Sequence, residues 1–426
     1  MALSNISFER AQGNLSTPLA GEDHISALIF DVTAFPGSSA DGDIFEVFSV
    51  EDAESIGVTE FDGSVGATNY QSGIPHLHIS EFFRVNPGSS LFISFADCSS
   101  DWNIIGEVQS LAQGKVRQFG VWTRQKLWAP GATVLDPYTL RLLSDMNAQA
   151  SALAAINQPA SILLSANLTS IDAAGDTTNI SLITDISGAN YPRVTPLIGQ
   201  GHSAKVRDIQ EEDATHATVG CVGAALGLVS RAPVGESIAW VSQYDISGGE
   251  MDTVSLGFGD IGVTGDELNN VYPLDSLTNT QLNALESKGY VFPMKYKGTS
   301  NPGTFMSSDR TAASGTDYDT ISKNRTIDKS RRVLRSVLLP FLNSSVKISP
   351  STGQISAAQV KLYKVACENQ LQAMQDAGEI SGFQVRIDPT QKILISRVLN
   401  ITYSLVPNGT AKDIKVKEGF TLSTSS

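Results

Sequence analysis

The sequence is short of cysteine, short of histidine and free of long apolar runs, and each shortage removes a class of protein. Its 426 residues include three cysteines, Cys98, Cys221 and Cys367, far apart and without a C-x-x-C pair. An odd, scattered set supplies neither a disulfide framework nor a zinc knuckle, so these thiols read as small buried hydrophobes. No stretch approaches the roughly 18 apolar residues that a membrane-spanning helix needs. The opening residues, Met1 to Arg10, contain neither a basic nor an apolar leader region. The expectation is a protein made in the cytoplasm, without direct membrane insertion.

Recognisable chemistry is equally scarce. The single glycine pattern of dinucleotide type, Gly257-Phe258-Gly259-Asp260-Ile261-Gly262, is followed by Val263-Thr264-Gly265-Asp266 rather than by a helix start. Asp260 would also set a carboxylate beside the phosphates, so the pattern reads as a glycine-rich turn. His76 and His78, taken as strand residues, would share one face near Glu81, but no third ligand has supporting spacing. His24, His202 and His216 have no evident partner. The acidic clusters Asp41-Gly42-Asp43 and Glu211-Glu212-Asp213 do not follow a calcium-loop pattern and read as solvated turns or helix starts. No P-loop and no nucleophile–base pair is present. No catalytic, metal or cofactor residue is therefore assigned, and an enzyme is not expected.

What is present begins with an uneven charge. The net charge is −14, the wrong sign for a general nucleic-acid binder, so no nucleic-acid partner is expected. From Thr320 onward 15 Lys and Arg face 7 Asp and Glu, a net +8, whereas the residues before it carry 15 against 37, a net −22. Such a chain could stack basic region on acidic region between copies; two solvated surfaces that never meet would look the same.

Hydrophobic periodicity divides the chain. Residues 1–22 are polar and broken by Gly13, Pro18 and Gly21, with short apolar beats at Ile6 and Phe8, and read as an extended arm. Ile25 to Val32 reads as a buried strand, and Asp41 to Ala96 as β-rich. Then helices and strands alternate: helix 103–114, strand 116–122, helix 138–157, strand 161–168, strand 194–198 and a small-residue helix 214–229. That order predicts a largely parallel sheet. Residues 300–319 are rich in Ser, Gly, Thr and Asp and read as a long loop or boundary. Arg325 to Leu342 is amphipathic, with Ile327, Leu334, Val337, Leu338 and Phe341 on one face and Arg325, Lys329, Arg332 and Arg335 forming a basic row. Pro340 should kink or end that helix. A solvated face, a phosphate contact and a protein contact are all compatible with the row. A second helix runs from Ser356 to Gly378 and buries Val360, Tyr363, Cys367, Leu371 and Met374. Two strands follow, around Phe383–Ile387 and Leu399–Leu405, joined by a turn at Asp388-Pro389. After Pro407-Asn408-Gly409, Ile414 and Val416 alternate with Asp413, Lys415 and Lys417, a strand with nowhere obvious to pair in its own domain.

The last third carries a resemblance. In order it contains Leu277-Thr-Asn-Thr-Gln281, Leu285-Glu-Ser-Lys-Gly289-Tyr290, Arg310-Thr311, Asn324-Arg325-Thr326, Gly382-Phe383-Gln384-Val385 with Asp388, Val406-Pro407 and Ile414-Lys-Val. This series is similar to the conserved domain of contractile phage tail sheath proteins, which also serve tailocins and contractile injection systems. Ala217 to Ala225 with Ala232-Pro233, and the opening around Ala11-Gln12-Gly13 and Gly21-Glu22-Asp23-His24, resemble a divergent phage branch. The resemblance implies a multi-domain α/β (mixed α+β) fold: an N-terminal arm (1–22), an α/β and β-rich region with a variable outer domain (23–300), a conserved C-terminal domain (301–408) and a C-terminal arm (409–426). It implies a subunit that polymerises with itself into a helical tube around an inner tail tube, meets baseplate and tail terminator proteins, and contracts. The arms, with Ile6 and Phe8 at one end and Ile414, Lys415, Val416 and Lys417 at the other, would add strands to neighbours' sheets. Arg325, Lys329, Arg332 and Arg335 would touch the inner tube or an adjacent subunit. Such a protein is assembled in the bacterial cytoplasm and ends on a virion tail or released particle. A capsid or surface-layer subunit is the alternative, and an α/β enzyme the more distant one.

Overall fold

A computed structural model gives the fold and describes residues 22–62, 70–124, 137–165, 185–212, 219–256, 272–273, 277–296 and 303–420. The chain divides into two compact units, residues 1–232 with 238–324 and residues 233–237 with 325–426.

The first unit contains, in chain order, β1 (Ser26–Asp31), β2 (Asp43–Val47), α1 (Val50–Ser55), α2 (Tyr70–Val85), β3 (Leu91–Ala96), α3 (Ile104–Leu111), β4 (Gln118–Thr123), α4 (Pro137–Ala155), β5 (Ser161–Ser165), β6 (Val194–Leu197), β7 (Gln200–Gly201), α5 (Ala204–Glu212), α6 (Val222–Arg231), β8 (Val254–Leu256), β9 (Tyr272–Pro273), α7 (Asn279–Ser287), β10 (Pro293–Lys295) and β11 (Thr304–Met306). α8 (Ile321–Leu338) begins in this unit and continues in the second, which adds α9 (Ala357–Asp376), β12 (Ile380–Ile387), α10 (Ile393–Ser396) and β13 (Ile401–Pro407).

Six strands form the main sheet in the order β2-β3-β1-β4-β5-β6. β1 is parallel to both its neighbours, β3 and β4, and the parallel run continues through β5 and β6. Only β2, at the edge, is antiparallel. Parallel strands cannot be joined by a tight hairpin, so α3 and α4 provide the crossovers from β3 to β4 and from β4 to β5. All of β1 is buried, which explains why Ala27-Leu28-Ile29-Phe30 lacks polar alternation: a parallel sheet is covered on both faces. The fold is α/β, with parallel and antiparallel strands as the sequence implied.

Two segments depart from expectation. The stretch Asp41 to Ala96 is not β-rich throughout, because α1 and α2 lie between β2 and β3. α2 is buried on nearly every side, including Ile74, Leu77, His78, Ile79, Glu81, Phe82, Phe83 and Val85. A helix covered all round carries no amphipathic stripe, and His78 and Glu81 add polar residues to it, so hydrophobicity alone conceals the period. The segment read as a loop at 300–319 instead contains β11, paired with β10, and Phe305, Met306, Ala312 and Ala313 are buried. The helix expected from Ala214 starts at Val222, and the residues at 213–218 lie outside those described.

α6 is buried from Val222 to Ser230 and packs on α2 and on β1, β4 and β5. A Cβ on Gly223 would meet the backbone oxygen of His78 at 2.1 Å. Glycine is therefore what allows the two helices to touch along their backbones.

In the second unit α8 and α9 line the antiparallel pair β12–β13, paired from Gly382↔Val406 to Ile387↔Ile401. Two strands alone are marginal in water, and the helices supply the missing apolar cover. Leu334, Cys367, Leu371, Met374, Ile380 and Val385 form one small core, and Ile355, Tyr363 and Ile387 another. Ser356 caps α9 by accepting from the Gln359 amide. α8 gives way at Pro340 to a 3-10 turn, Leu339–Phe341. The connection between the strands is longer than a turn at Asp388-Pro389, since α10 lies within it. Residues 233–237 also belong here. Gly235 has φ +90°, and a Cβ on it would meet the Glu379 oxygen at 2.4 Å.

Replacing Gly223 by Ala should lower stability by about 1–3 kcal/mol, the range for overpacking a closed core. Chemical denaturation of the first unit's transition measures it, and an unchanged midpoint would show that α2 and α6 can separate freely.

Candidate functional site

Among the described residues, the carboxyl end of β1, a place where an α/β sheet can hold a ligand, is filled by the chain's own groups. In such sheets ligands bind beyond the carboxyl ends of the strands, where the strand order reverses. Here that point lies at β1, whose last residue, Asp31, is fully buried. Its carboxylate accepts from Thr123 Oγ1 at 2.7 Å and from the Cys98 amide at 3.1 Å. Arg124 Nε stands 3.4 Å away, and the same guanidinium reaches Asp97 at 2.6 Å. Burial raises the Asp31 pKa, and the Thr123 hydrogen bond and the Arg124 charge oppose that shift. The arrangement ties three strand ends together.

His76 and His78 do not form a pair. On a helix, residues two apart point in different directions. His76 Nε2 lies 3.0 Å from Glu54 Oε1, whereas His78 Nε2 donates to the Val219 carbonyl at 2.9 Å. His78 Nδ1 in turn accepts from the Gly223 amide at 3.3 Å, a pattern that requires the neutral ring. Trp122 Nε1 donates to the same Val219 carbonyl at 2.9 Å. Among the described residues no group of three His, Cys, Asp or Glu could hold a metal ion. The glycine pattern at 257–262 and His216 lie outside the described residues.

The basic row of α8 is only partly a surface. Arg325 is buried, at 5% exposure. Lys329 Nζ bonds the carboxylate of Glu379, a residue that follows α9. Arg332 is half-buried and Arg335 exposed. The row was legible as periodicity, but the carboxylate that receives Lys329 is far away in sequence and nothing local announces it.

The C-terminal segment is placed differently. Asn408 anchors its start: Nδ2 donates to the Gly378 carbonyl at 2.7 Å, and Oδ1 accepts from Ser381 at 3.0 Å. Every residue from Gly409 to Phe420 is exposed, Ile414 and Val416 at 82% each. None of them pairs in a strand among the described residues. β12 and β13, a two-stranded sheet, each keep an outer edge without a strand partner there. Ile6 and Phe8 lie outside the described residues, which begin at Glu22, bonded to Arg117. No helix among the described residues is long and apolar enough to cross a membrane.

Protonation and truncation give two tests of these contacts. Burial pushes the His78 pKa down from 6.5 to about 4. The unfolded chain therefore binds the extra proton first, and stability falls as pH drops from 6.5 towards 4, by an amount of order 3 kcal/mol. His78→Gln should flatten that part of a pH–stability curve measured by urea unfolding; an unaltered slope would assign the acid sensitivity to other groups. Glu379→Ala leaves Lys329 without its carboxylate and should cost about 2–3 kcal/mol in the second unit, with Lys329→Met recovering much of it. A loss that Lys329→Met does not reduce would deny the pair that role.

Two family models match the chain. The N-terminal domain of DUF2586 matches residues 128–310 and the C-terminal domain of DUF2586 matches residues 317–425. No curated protein matches it. Among solved structures, it is similar to a chain in the cryo-EM structure of the anti-feeding prophage (AFP) baseplate, 6-fold symmetrised, with TM-score 0.56 and 13% identity, over 99% of this chain and 100% of that one. It is similar to a chain of the PVC sheath complex of an extracellular contractile injection system, in the contracted state, with TM-score 0.55 and 10% identity, over 100% of this chain and 98% of that one. The fold is that of contractile injection system components, along the whole length of both chains.

Proposed function

We propose, for a chain that carries both domains of the DUF2586 family, a structural and non-enzymatic part in a contractile injection system, as the sheath subunit that polymerises around an inner tail tube. One observation carries this reading above the others. Residues 409–420 follow Asn408 as an exposed run, alternating apolar Ile414 and Val416 with Asp413, Lys415 and Lys417. A segment of that pattern is made to add to the edge of another sheet, and the outer edges of β12 and β13 are sheets of the kind it needs. Four or five backbone hydrogen bonds, each worth about 1 kcal/mol net, would hold one subunit to the next by a few kcal/mol. Ile6 and Phe8 would act likewise at the other end of the chain.

A strand donated forward by every copy is a head-to-tail contact, and such contacts build helical polymers when they do not close. Contraction then keeps the strand links and slides the bodies into a denser packing, from a state trapped behind a barrier. The partners are other copies, the inner tube, the baseplate and the tail terminator. The subunit would assemble in the bacterial cytoplasm and be carried on a virion tail or released particle. Of the basic row, Arg335 is the exposed member, so the tube or neighbour contact falls to it first. Arg325 and Lys329 would serve by holding the helix in place. A position in the baseplate is the second reading, favoured by the likeness to a chain in the AFP baseplate.

Electron microscopy of the purified chain, with and without residues 409–426, tests the proposal. Tubes or stacked rings that disappear on truncation are expected; single flat rings would favour the baseplate position, and monomers in both samples would remove the polymer. Arg335→Glu should weaken binding to the inner tube or neighbouring subunit by about tenfold, one charged rim contact at low salt, while leaving the unfolding midpoint unchanged. Tubes of normal yield and salt tolerance from that variant would take Arg335 out of the contact.

A further inference from the structure

The second unit carries an apolar face that strand pairing does not explain. Two segments converge on the small core of Ile355, Tyr363 and Ile387: the 3-10 turn after α8, through Phe341, and α10 with its continuation, through Ile393 and Leu399. Each inward residue is flanked by outward ones. Leu339 and Leu342 flank Phe341, Leu394 and Ile395 follow Ile393, and Val398 precedes Leu399, all of them exposed, Leu394 at 72% and Ile395 at 80%. The pose of α10 is fixed locally, because Arg397 closes it in the left-handed region at φ 54° and returns its amide to the Ile393 carbonyl at 2.8 Å. Contiguous exposed apolar residues inside a polar rim mark an interaction site. The rim here is basic, with Arg335, Lys392 and Arg397 exposed around it.

The counterpart is written in the first unit. Between Arg10 and Arg84 the sequence contains no Lys or Arg at all. β2 and α1 concentrate the acid of that stretch: Glu46, Glu51 and Asp52 are exposed on either side of Phe48, which is 57% exposed. β2 is also the end strand of its sheet, without a partner on its outer side among the described residues. An apolar centre in an acidic rim complements an apolar face in a basic rim, in both shape of charge and sign. The C-terminal segment would not serve, because Lys412, Lys415 and Lys417 outnumber Asp413 and Glu418.

We infer that the apolar, basic-rimmed face at α10 docks on the acidic β2–α1 edge of a second copy of this chain. The contact rests on the proposed self-assembly only in needing that second copy; it uses neither arm. It is heterologous, so it adds a second head-to-tail link to the strand link and could persist where strands are exchanged. It also explains why β2 keeps charged residues on an open edge, since they bar strand pairing there while leaving the edge available to a partner of opposite charge.

The test places the photoreactive residue benzoylphenylalanine at Ile395 of the full-length chain and mixes isotopically labelled with unlabelled copies before irradiation. Cross-links between copies that map to residues 41–62 are expected. Cross-links to the C-terminal segment, to an added inner-tube protein or only within one chain would overturn the contact. Arg397→Glu should weaken association about tenfold, and Glu51→Arg in the same chain should restore it; undiminished association of the first variant also overturns it. A chain that stays monomeric at every concentration defeats both this contact and the polymer, whereas a polymer whose Ile395 cross-links lie elsewhere defeats this contact alone.

Discussion

A β-strand presents hydrogen-bonding groups along two edges, and the handling of those edges organises this chain. β1 has both edges filled by parallel neighbours and both faces covered, so it tolerates no polar residue between Ala27 and Phe30. The outermost strand of the same sheet, β2, has an outer edge without a strand partner among the described residues and bears Asp43 and Glu46, charges that discourage casual pairing. The second unit follows the opposite policy. Among the described residues its hairpin has two open edges, and the chain then runs on as an exposed alternating segment.

The two units also differ in how they are held. The first relies on close backbone contact: Gly223 against His78, and a single Val219 carbonyl receiving donors from α2 and β4. Such contacts leave little room for α2 and α6 to shift against each other. The second has two small cores under a hairpin and keeps charged groups near them, with Lys329 and Glu379 joined across the base of α8 and α9. A body with a modest core gains stability when a partner covers what it leaves exposed.

Much of this was legible in the sequence because one element at a time carried its own signal. β1 and β5 are short apolar runs, α9 shows a clean stripe from Tyr363 to Met374 behind a serine cap, and the hairpin strands alternate. α2 was not legible as a helix, because it is buried nearly all round and holds His78 and Glu81 inside; His78 is made tolerable by the Val219 carbonyl, which only the fold brings near, and Glu81 by Arg84, three residues along the same helix. The basic row shows the same limit. Its period is local, but the burial of Arg325 and the pairing of Lys329 depend on residues elsewhere in the chain. The unpaired C-terminal segment could be read because it is defined by an absence that sequence order reveals. The exposure of Leu394 and Ile395, beside the inward Ile393, could not, since three apolar residues in a row ordinarily signal a core.

The five residues from Pro233 to Ser237 have a consequence for inheritance. They belong to the second unit, where Gly235 lies against the Glu379 backbone, yet they fall inside the stretch matched by the N-terminal domain of the family. The border visible along the gene, between residues 310 and 317, is therefore not the border in space. A recombination event at that border would join a second unit from one lineage to its Pro233–Ser237 strip from another. The two pieces have to change together, so the unit is expected to travel between genomes as part of the whole reading frame, and not as a cassette.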